Sequence, residues 1–338
     1  MNQEYDVAVV GASGMIGEAM MSILEERNFP VRNIYPLGSE RSAGTALEFH
    51  GETVHIGLLS DFDFSHVQYG LFSAGAGISD VYARKAVDQD CTVIDNTSRF
   101  RYDPDIPLVI PEVNGEVLSG RDRLIANPNC STIQMLVALK PIYDAAGIDR
   151  INVCTYQSVS GAGRSAVEEL AEQSAALLSG RDAQVSVAPR QIAFNAIPHI
   201  DVFQENGYTK EEMKMVWETR KILNDDTIRV NPTTVRIPVF FGHSEAVHIE
   251  TKQKITAAQA RELLRSTEGI TVIDDPDGLE YPTAVTDAAN RDDVFVGRIR
   301  EDISHEHGLN MWVVSDNVRK GGALNSIQIA EYLINAER

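Results

Sequence analysis

The sequence predicts an α/β protein in two parts: a doubly wound parallel-sheet domain, then an α+β domain with a mixed sheet. Three observations carry this. An apolar strand at Tyr5-Asp6-Val7-Ala8-Val9-Val10 runs straight into Gly11-Ala12-Ser13-Gly14-Met15-Ile16-Gly17 and then an apolar helical pattern at Ile16, Met20, Ile23 and Leu24. Strand-like and helix-like segments alternate from there to about residue 130. Beyond it, strand-like runs outnumber helices, which is the texture of an antiparallel or mixed sheet.

In order, strands are expected at Asn33–Leu37, Gly70–Ser73 and Thr92–Asp95, with a helix near Val81–Val87 between the last two. A helix follows from Cys130 to about Ala146. A strand is expected at Arg150–Ser158 and a helix at Arg164–Leu178. Further strands fit Thr234–Phe240, Ala246–Lys254, Asp293–Arg300 and Met311–Val314. A long amphipathic helix closes the chain at Gly322–Ala336. The expected domains are 1–130, a Rossmann-type nucleotide-binding domain completed by the C-terminal helix 318–338, and 131–317, a catalytic and dimerisation domain.

At 338 residues the chain is long enough for two cores, and 43% hydrophobic with 23% charged residues is the balance of a soluble globular protein. A net charge of −19 argues against nucleic acid or an anionic membrane as partner. No signal peptide or membrane-length apolar run is visible, so the expected location is the cytoplasm. The three cysteines, Cys91, Cys130 and Cys154, form no metal-spaced cluster, so no metal is expected. Cys91 and Cys154 lie in apolar runs and read as core residues.

The turn Gly11-x-x-Gly14-x-x-Gly17, placed after the first strand and before a helix, reads as a pyrophosphate site. Glycines permit the tight turn, and the helix N-terminus favours an anion. At the end of the second strand stands Ser39-Glu40-Arg41-Ser42. Arg41 between hydroxyls suits a 2′-phosphate and favours NADP; Glu40 would instead suit the free ribose of NAD.

Asn127-Pro128-Asn129-Cys130-Ser131-Thr132 holds a cysteine where a loop becomes a helix. Unpaired N–H groups there favour a thiolate and hence a nucleophile. Gly242-His243-Ser244-Glu245 places a histidine at a strand end, seven residues after Arg236. Gln157 closes an apolar strand ahead of Ser158-Val159-Ser160-Gly161-Ala162-Gly163, a turn whose backbone can approach a cofactor.

Taken together these residues resemble the aspartate-β-semialdehyde dehydrogenase family along nearly the whole chain. The likeness includes Asn96-Thr97-Ser98-Arg99-Phe100, Pro111-Glu112-Val113-Asn114, Val296–Arg300 and Val314–Asn325. It implies a glyceraldehyde-3-phosphate-dehydrogenase-like architecture, a homodimer, and NADPH-dependent reduction of aspartyl 4-phosphate to aspartate 4-semialdehyde. That step feeds lysine, diaminopimelate, threonine, isoleucine and methionine biosynthesis. By the resemblance, Cys130 is the nucleophile, His243 the acid/base, and Gln157 orients the carbonyl. Arg236 clamps the substrate carboxylate and Glu211 pairs with its ammonium. Arg99, Lys214 and Asn129 hold phosphate. The cofactor falls to Gly11, Ser13, Gly14, Met15, Ile16, Gly17, Ser39, Arg41, Ser42, Ser73, Gly75, Ser160, Gly161 and Asn317.

Two departures from the family pattern stand near the expected cofactor: Gly75-Ala76-Gly77, where Ala76 adds a methyl and limits positive φ, and Gly321-Gly322-Ala323. Local pattern alone makes Lys210-Glu211-Glu212-Met213-Lys214 a solvated helix face. An N-acetyl-γ-glutamyl-phosphate reductase shares the reaction logic, but its acylated amine gives Glu211 no cation to pair. A catalytically silent paralogue is the remaining alternative, opposed by the presence of Cys130, Gln157, Arg236 and His243.

Overall fold

The computed structural model describes residues 3–336. Residues up to Pro128, with those from Gly322 on, form one compact unit; Asn129–Gly321 form a second.

The first unit contains β1 (Tyr5–Val10), β2 (Val31–Gly38), β3 (Ala46–Phe49), β4 (Glu52–His55), β5 (Gly57–Leu58), β6 (Tyr69–Phe72), β7 (Thr92–Asp95) and β8 (Leu124–Ala126). Its helices are α1 (Met15–Glu26), α2 (Ala76–Val87) and the single turn α3 (Pro111–Asn114). Six strands make an all-parallel sheet in the order β5-β2-β1-β6-β7-β8. β1, β6 and β7 are buried along their whole length, which is why Val7–Val10, Gly70–Phe72 and Val93-Ile94 read as continuous apolar stretches instead of alternating ones. Val7, Val9, Ile23 and Leu24 share a core with Ile327 and Leu333 of the C-terminal helix, Leu324–Ala336. The strand order reverses at β1, so the carboxyl ends of β2, β1 and β6 lie side by side, where doubly wound sheets bind ligands.

The sequence reading missed the β3–β4 hairpin and β8, and began α2 five residues late. Ala76–Asp80 carries no apolar periodicity, yet Gly75 at φ +98° supplies the turn that starts the helix there. Ala76 is absent from the positive-φ residues, so the left-handed position falls on Gly75 and the extra methyl is unstrained. The last helix starts at Leu324 rather than Gly322, after a π-turn at Arg319–Ala323.

The second unit contains α4 (Cys130–Ala146), β9 (Ile148–Gln157), α5 (Arg164–Leu178), α6 (Lys210–Leu223), β10 (Arg229–Arg236), β11 (His243–Thr251), α7 (Ala257–Arg265), β12 (Ile270–Val272), β13 (Val294–Glu301) and β14 (Gly308–Ser315). Its six-stranded sheet runs β10-β9-β11-β14-β13-β12 and is mixed, with β10–β9 and β12–β13 parallel and the other pairs antiparallel. β10 ends at Arg236 instead of Phe240. β11 starts at His243, three residues before its expected start, because Ser244 and Glu245 are polar yet buried. Cys91 is buried as expected, but Cys154 is only half-buried. On β9 the buried positions alternate, and Cys154 falls on the face opposite Thr155 and Gln157.

Among the described residues no helix is long and apolar enough to cross a membrane.

Candidate active site

The register of the second sheet gathers the chemistry at one end. Arg236 closes β10 directly beside Gln157, which closes β9. His243 opens the antiparallel β11 opposite Ser315, which closes β14. α4 belongs to the same unit and starts at Cys130. Asn129 caps it: its Oδ1 accepts from the N–H groups of Ser131 (3.0 Å) and Thr132 (3.4 Å). Cys130 is therefore the first helical residue and is partly exposed.

A polar network braces this turn. Glu211 Oε1 accepts from Asn129 Nδ2 (3.0 Å) and Gln157 Nε2 (3.2 Å), and its Oε2 from Lys214 Nζ (2.9 Å). Gln157 Nε2 also donates to Ser131 Oγ (2.7 Å), and Asn129 N–H to Glu218 Oε2 (2.6 Å). Lys214 binds Asp201 Oδ2 as well, at 2.9 Å. Burial pushes the Glu211 carboxyl up, but Lys214, Asn129 and Gln157 outweigh it and hold it at about 2. A carboxylate offers about four acceptor sites. Three are used here, so one remains for an incoming cation; Lys214 likewise keeps one N–H.

His243 is wholly buried. Ser158 N–H donates to its Nδ1 at 3.1 Å, which places the ring's lone pair there and the hydrogen of the neutral form on Nε2. Burial, with the neighbouring Arg236 charge, lowers its pKa to about 3, so the ring is neutral. Arg236 Nη1 donates to the Ser158 carbonyl at 2.6 Å; burial lowers its pKa while Glu211 and Cys130 hold it up. Gly161 lies against both groups: a Cβ there would stand 3.0 Å from Arg236 Nη1 and 3.3 Å from His243 Nε2. Asn317 Oδ1 accepts from Ser158 Oγ (3.0 Å), Ser160 Oγ (3.1 Å) and Gly242 N–H (3.0 Å), tying the Ser158–Gly161 turn to the start of β11.

The structure thus brings together Asn129, Cys130, Gln157, Ser160, Gly161, Glu211, Lys214, Arg236, His243 and Asn317. Sequence reasoning missed Asp201 and Glu218, and placed Gly321 near the cofactor with no link to Cys130. A Cβ on Gly321 would lie 2.7 Å from Cys130 Cβ and 3.2 Å from its Cα. The glycine is the signal: only a bare backbone fits there. Gly321→Ala is expected to displace Cys130 and lower kcat about 10²-fold, the scale of an ångström-sized misplacement. Steady-state kinetics beside circular dichroism would check this; unchanged kcat would show that the contact relaxes freely.

In the first unit, Gly11, Ser13, Gly14, Ser39, Glu40, Ser42 and Ser73 line one cleft of about 480 Å³, with Leu58, Leu59, Ile78 and Tyr82 as its apolar lining. A nucleotide fits what the cleft offers. α1 has a bare N-terminus: Gly14 is its N-cap and no side chain caps it. Gly11 takes φ +92°, and a Cβ on Gly17 would sit 2.2 Å from the Gly11 carbonyl, so the turn admits no side chain. Met15 and Ile16 form the first turn of α1, and Gly75 caps α2. Arg41 is exposed on the Ser39–Ser42 turn and is not among the lining residues; Glu40 is. Arg99 lies in this unit, ion-paired with Asp80 and over the Phe100 ring at 5.0 Å.

These parts fit a class that two family models identify: the semialdehyde dehydrogenase NAD binding domain matches residues 6–121, and the semialdehyde dehydrogenase dimerisation domain matches 139–320. The aspartate-semialdehyde dehydrogenase of Shewanella violacea is 61% identical over 336 residues, 99% of each chain. That of Legionella pneumophila is 59% identical over 98% of this chain and 96% of its own. A crystal structure of aspartate semialdehyde dehydrogenase II from Vibrio cholerae, described as complexed with ASA, matches with a TM-score of 0.97 at 57% identity, over 98% of this chain and 99% of that one. The chain belongs to the aspartate-semialdehyde dehydrogenase family.

Proposed function

We propose that this chain reduces aspartyl 4-phosphate to aspartate 4-semialdehyde with NADPH, releasing phosphate, through a thioester on Cys130. The observation that carries this is the ionised Glu211 beside Gln157 and Lys214, in the unit that holds Cys130 and Arg236. Glu211, with Lys214 and Arg236, offers an anion and two cations to a substrate with one ammonium, one carboxylate and one phosphate. An N-acetylated substrate would leave the Glu211 charge unanswered, which disfavours the glutamyl-phosphate alternative.

Cys130 attacks the acyl carbon as its thiolate, the form the last step regenerates, and the C–S bond forms as the C–O bond breaks and phosphate leaves with the bonding pair. Arg236 holds the substrate carboxylate in a fork geometry, and Glu211 takes the ammonium at its remaining acceptor site. Lys214, Arg99 and Asn129, through its second amide hydrogen, attract phosphate. NADPH, when bound, supplies the hydride. His243 Nε2–H donates to the oxygen that becomes negative, and the C–S bond then breaks to release aldehyde and thiolate.

The residues that would hold the cofactor are the Gly11–Gly17 turn, with Ser13, Met15 and Ile16 at the start of α1, then Ser39, Ser42, Ser73 and Gly75. Ser160, Gly161 and Asn317 complete the set. Arg41 favours the 2′-phosphate of NADP, against Glu40 for NAD. A homodimer is supported by the half-exposed face of the mixed sheet, where Cys154, Tyr156, Ala246, His248 and Trp312 sit on neighbouring strands.

The test is NADPH formation from aspartate semialdehyde and NADP⁺, with and without phosphate, against N-acetylglutamate semialdehyde and NAD⁺. Phosphate-dependent turnover of the aspartate compound with NADP⁺ is expected. No turnover by folded, reduced protein would favour the silent paralogue, and equal rates with NAD⁺ would overturn the Arg41 reading.

A further inference from the structure

We propose that Glu245 is a neutral, proton-bearing acid paired reciprocally with Gln134, and that this pair fixes Cys130 relative to His243. The proposal rests on the reading that Cys130 and His243 carry the chemistry.

Glu245 lies two residues after His243 on β11, so the two side chains share a sheet face. Gln134 lies four residues after Cys130 on α4, so those two share a helix face. Both Glu245 and Gln134 are 0% exposed. Neither Glu245 oxygen, nor the oxygen or nitrogen of the Gln134 carboxamide, has a hydrogen-bond partner among the described residues. Buried polar groups left this way are rare in native proteins. The four atoms belong to two neighbouring side chains: the Gln134 carboxamide lies near enough to act on the Glu245 carboxyl as a hydrogen-bond donor, yet falls short of full hydrogen-bond geometry.

Protonation state decides whether they satisfy each other. A carboxylate only accepts: it could take the Gln134 Nε2–H but would leave Gln134 Oε1 facing a negative charge. A neutral acid donates its O–H to Oε1 and accepts Nε2–H, so small side-chain rotations close a two-bond ring. No cation opposes neutrality. Thr155 on β9 and Val313 on β14 stand opposite Glu245 in register; His243 lies two residues away on β11, and Cys130 one helical turn from Gln134 on α4. Burial holds the Glu245 carboxyl well above the carboxylate range, with only Gln134 working against it. The site thus holds Glu211 ionised and Glu245 neutral. An ionised Glu245 beside His243 would favour the imidazolium and remove the neutral ring described above.

Glu245 is a positioning residue: it joins the strand that starts with His243 to the helix that starts with Cys130. The test compares E245L with E245Q. E245L strands the Gln134 amide and is expected to lower kcat about tenfold or more, with a smaller change in KM. E245Q restores a neutral reciprocal pair, so it is expected to recover most of that loss and leave the pH profile of kcat/KM unmoved. Infrared spectra at neutral pH should show a deuterium-sensitive carboxylic-acid C=O band in wild type and in C130A, absent from E245Q. Absence of a Glu245-dependent band, or a loss in E245Q as large as in E245L, would overturn the proposal. If E245L does not fold, the band and E245Q still decide. If wild type does not turn over aspartate semialdehyde, the functional reading fails, and the band still decides the pair.

Discussion

Cys130→Ala is expected to remove turnover by on the order of 10⁴-fold or more while the protein stays folded. Alanine keeps the Cβ that packs against Gly321 and deletes only Sγ, so the helix start braced by Asn129, Gln157 and Glu218 is untouched. Neither other thiol can substitute. Burial pushes Cys91 up to about 12 and also raises Cys154, which lies on the opposite face of β9 from Gln157. Brief alkylation at neutral pH should therefore label a single cysteine, read by peptide mass spectrometry, and substrate should protect it. Turnover by C130A within tenfold of wild type would exclude the thioester route, as would dominant labelling of Cys154.

The parts of this site that were legible in the sequence are those built from short-range chemistry. The stretch Val7–Val10 before Gly11 is apolar without a break because a parallel strand is covered on both faces. Asn129 followed by Cys130 announces a cap because capping links residues two and three apart. Glu211 and Lys214 fail this test. On local pattern they belong to a solvated face, yet Glu211, Glu212 and Glu218 are all buried. Glu211 is satisfied by Asn129, 82 positions earlier, and Glu218 by the Asn129 backbone, 89 positions away. Only a family resemblance could place Glu211 there, and the resemblance said nothing of Glu218 or Asp201. The same logic hid the start of β11. His243-Ser244-Glu245 is too polar for a strand unless its partners are known, and those partners lie on β9, β14 and α4. Gly321 was visible as a glycine, but its reason, the Cys130 side chain 191 positions back, was not.

His243→Asn is expected to lower kcat about 10²- to 10⁴-fold, the range for loss of a positioned proton donor. Asparagine can keep an acceptor for the Ser158 N–H near the place of Nδ1, but it removes the Nε2–H. A second readout is independent of turnover. The folded-state pKa of His243 is about 3 against an ordinary 6.5, so between those values the unfolded chain binds a proton that the folded chain refuses. Stability then rises with pH across that window and is lost as pH falls through it. Glu211, held at about 2 against 4.5, is lost in the same direction but only below its ordinary value. Between pH 6.5 and 4.5 the histidine therefore acts without Glu211, and H243N should melt closer to wild type, or above it, as the pH is lowered through that interval. Thermal denaturation of both proteins across it measures the difference. A constant gap in Tm would mean that folded His243 takes up its proton as freely as the unfolded residue, and that the neutral Nε2–H donor is the wrong starting state for the reaction.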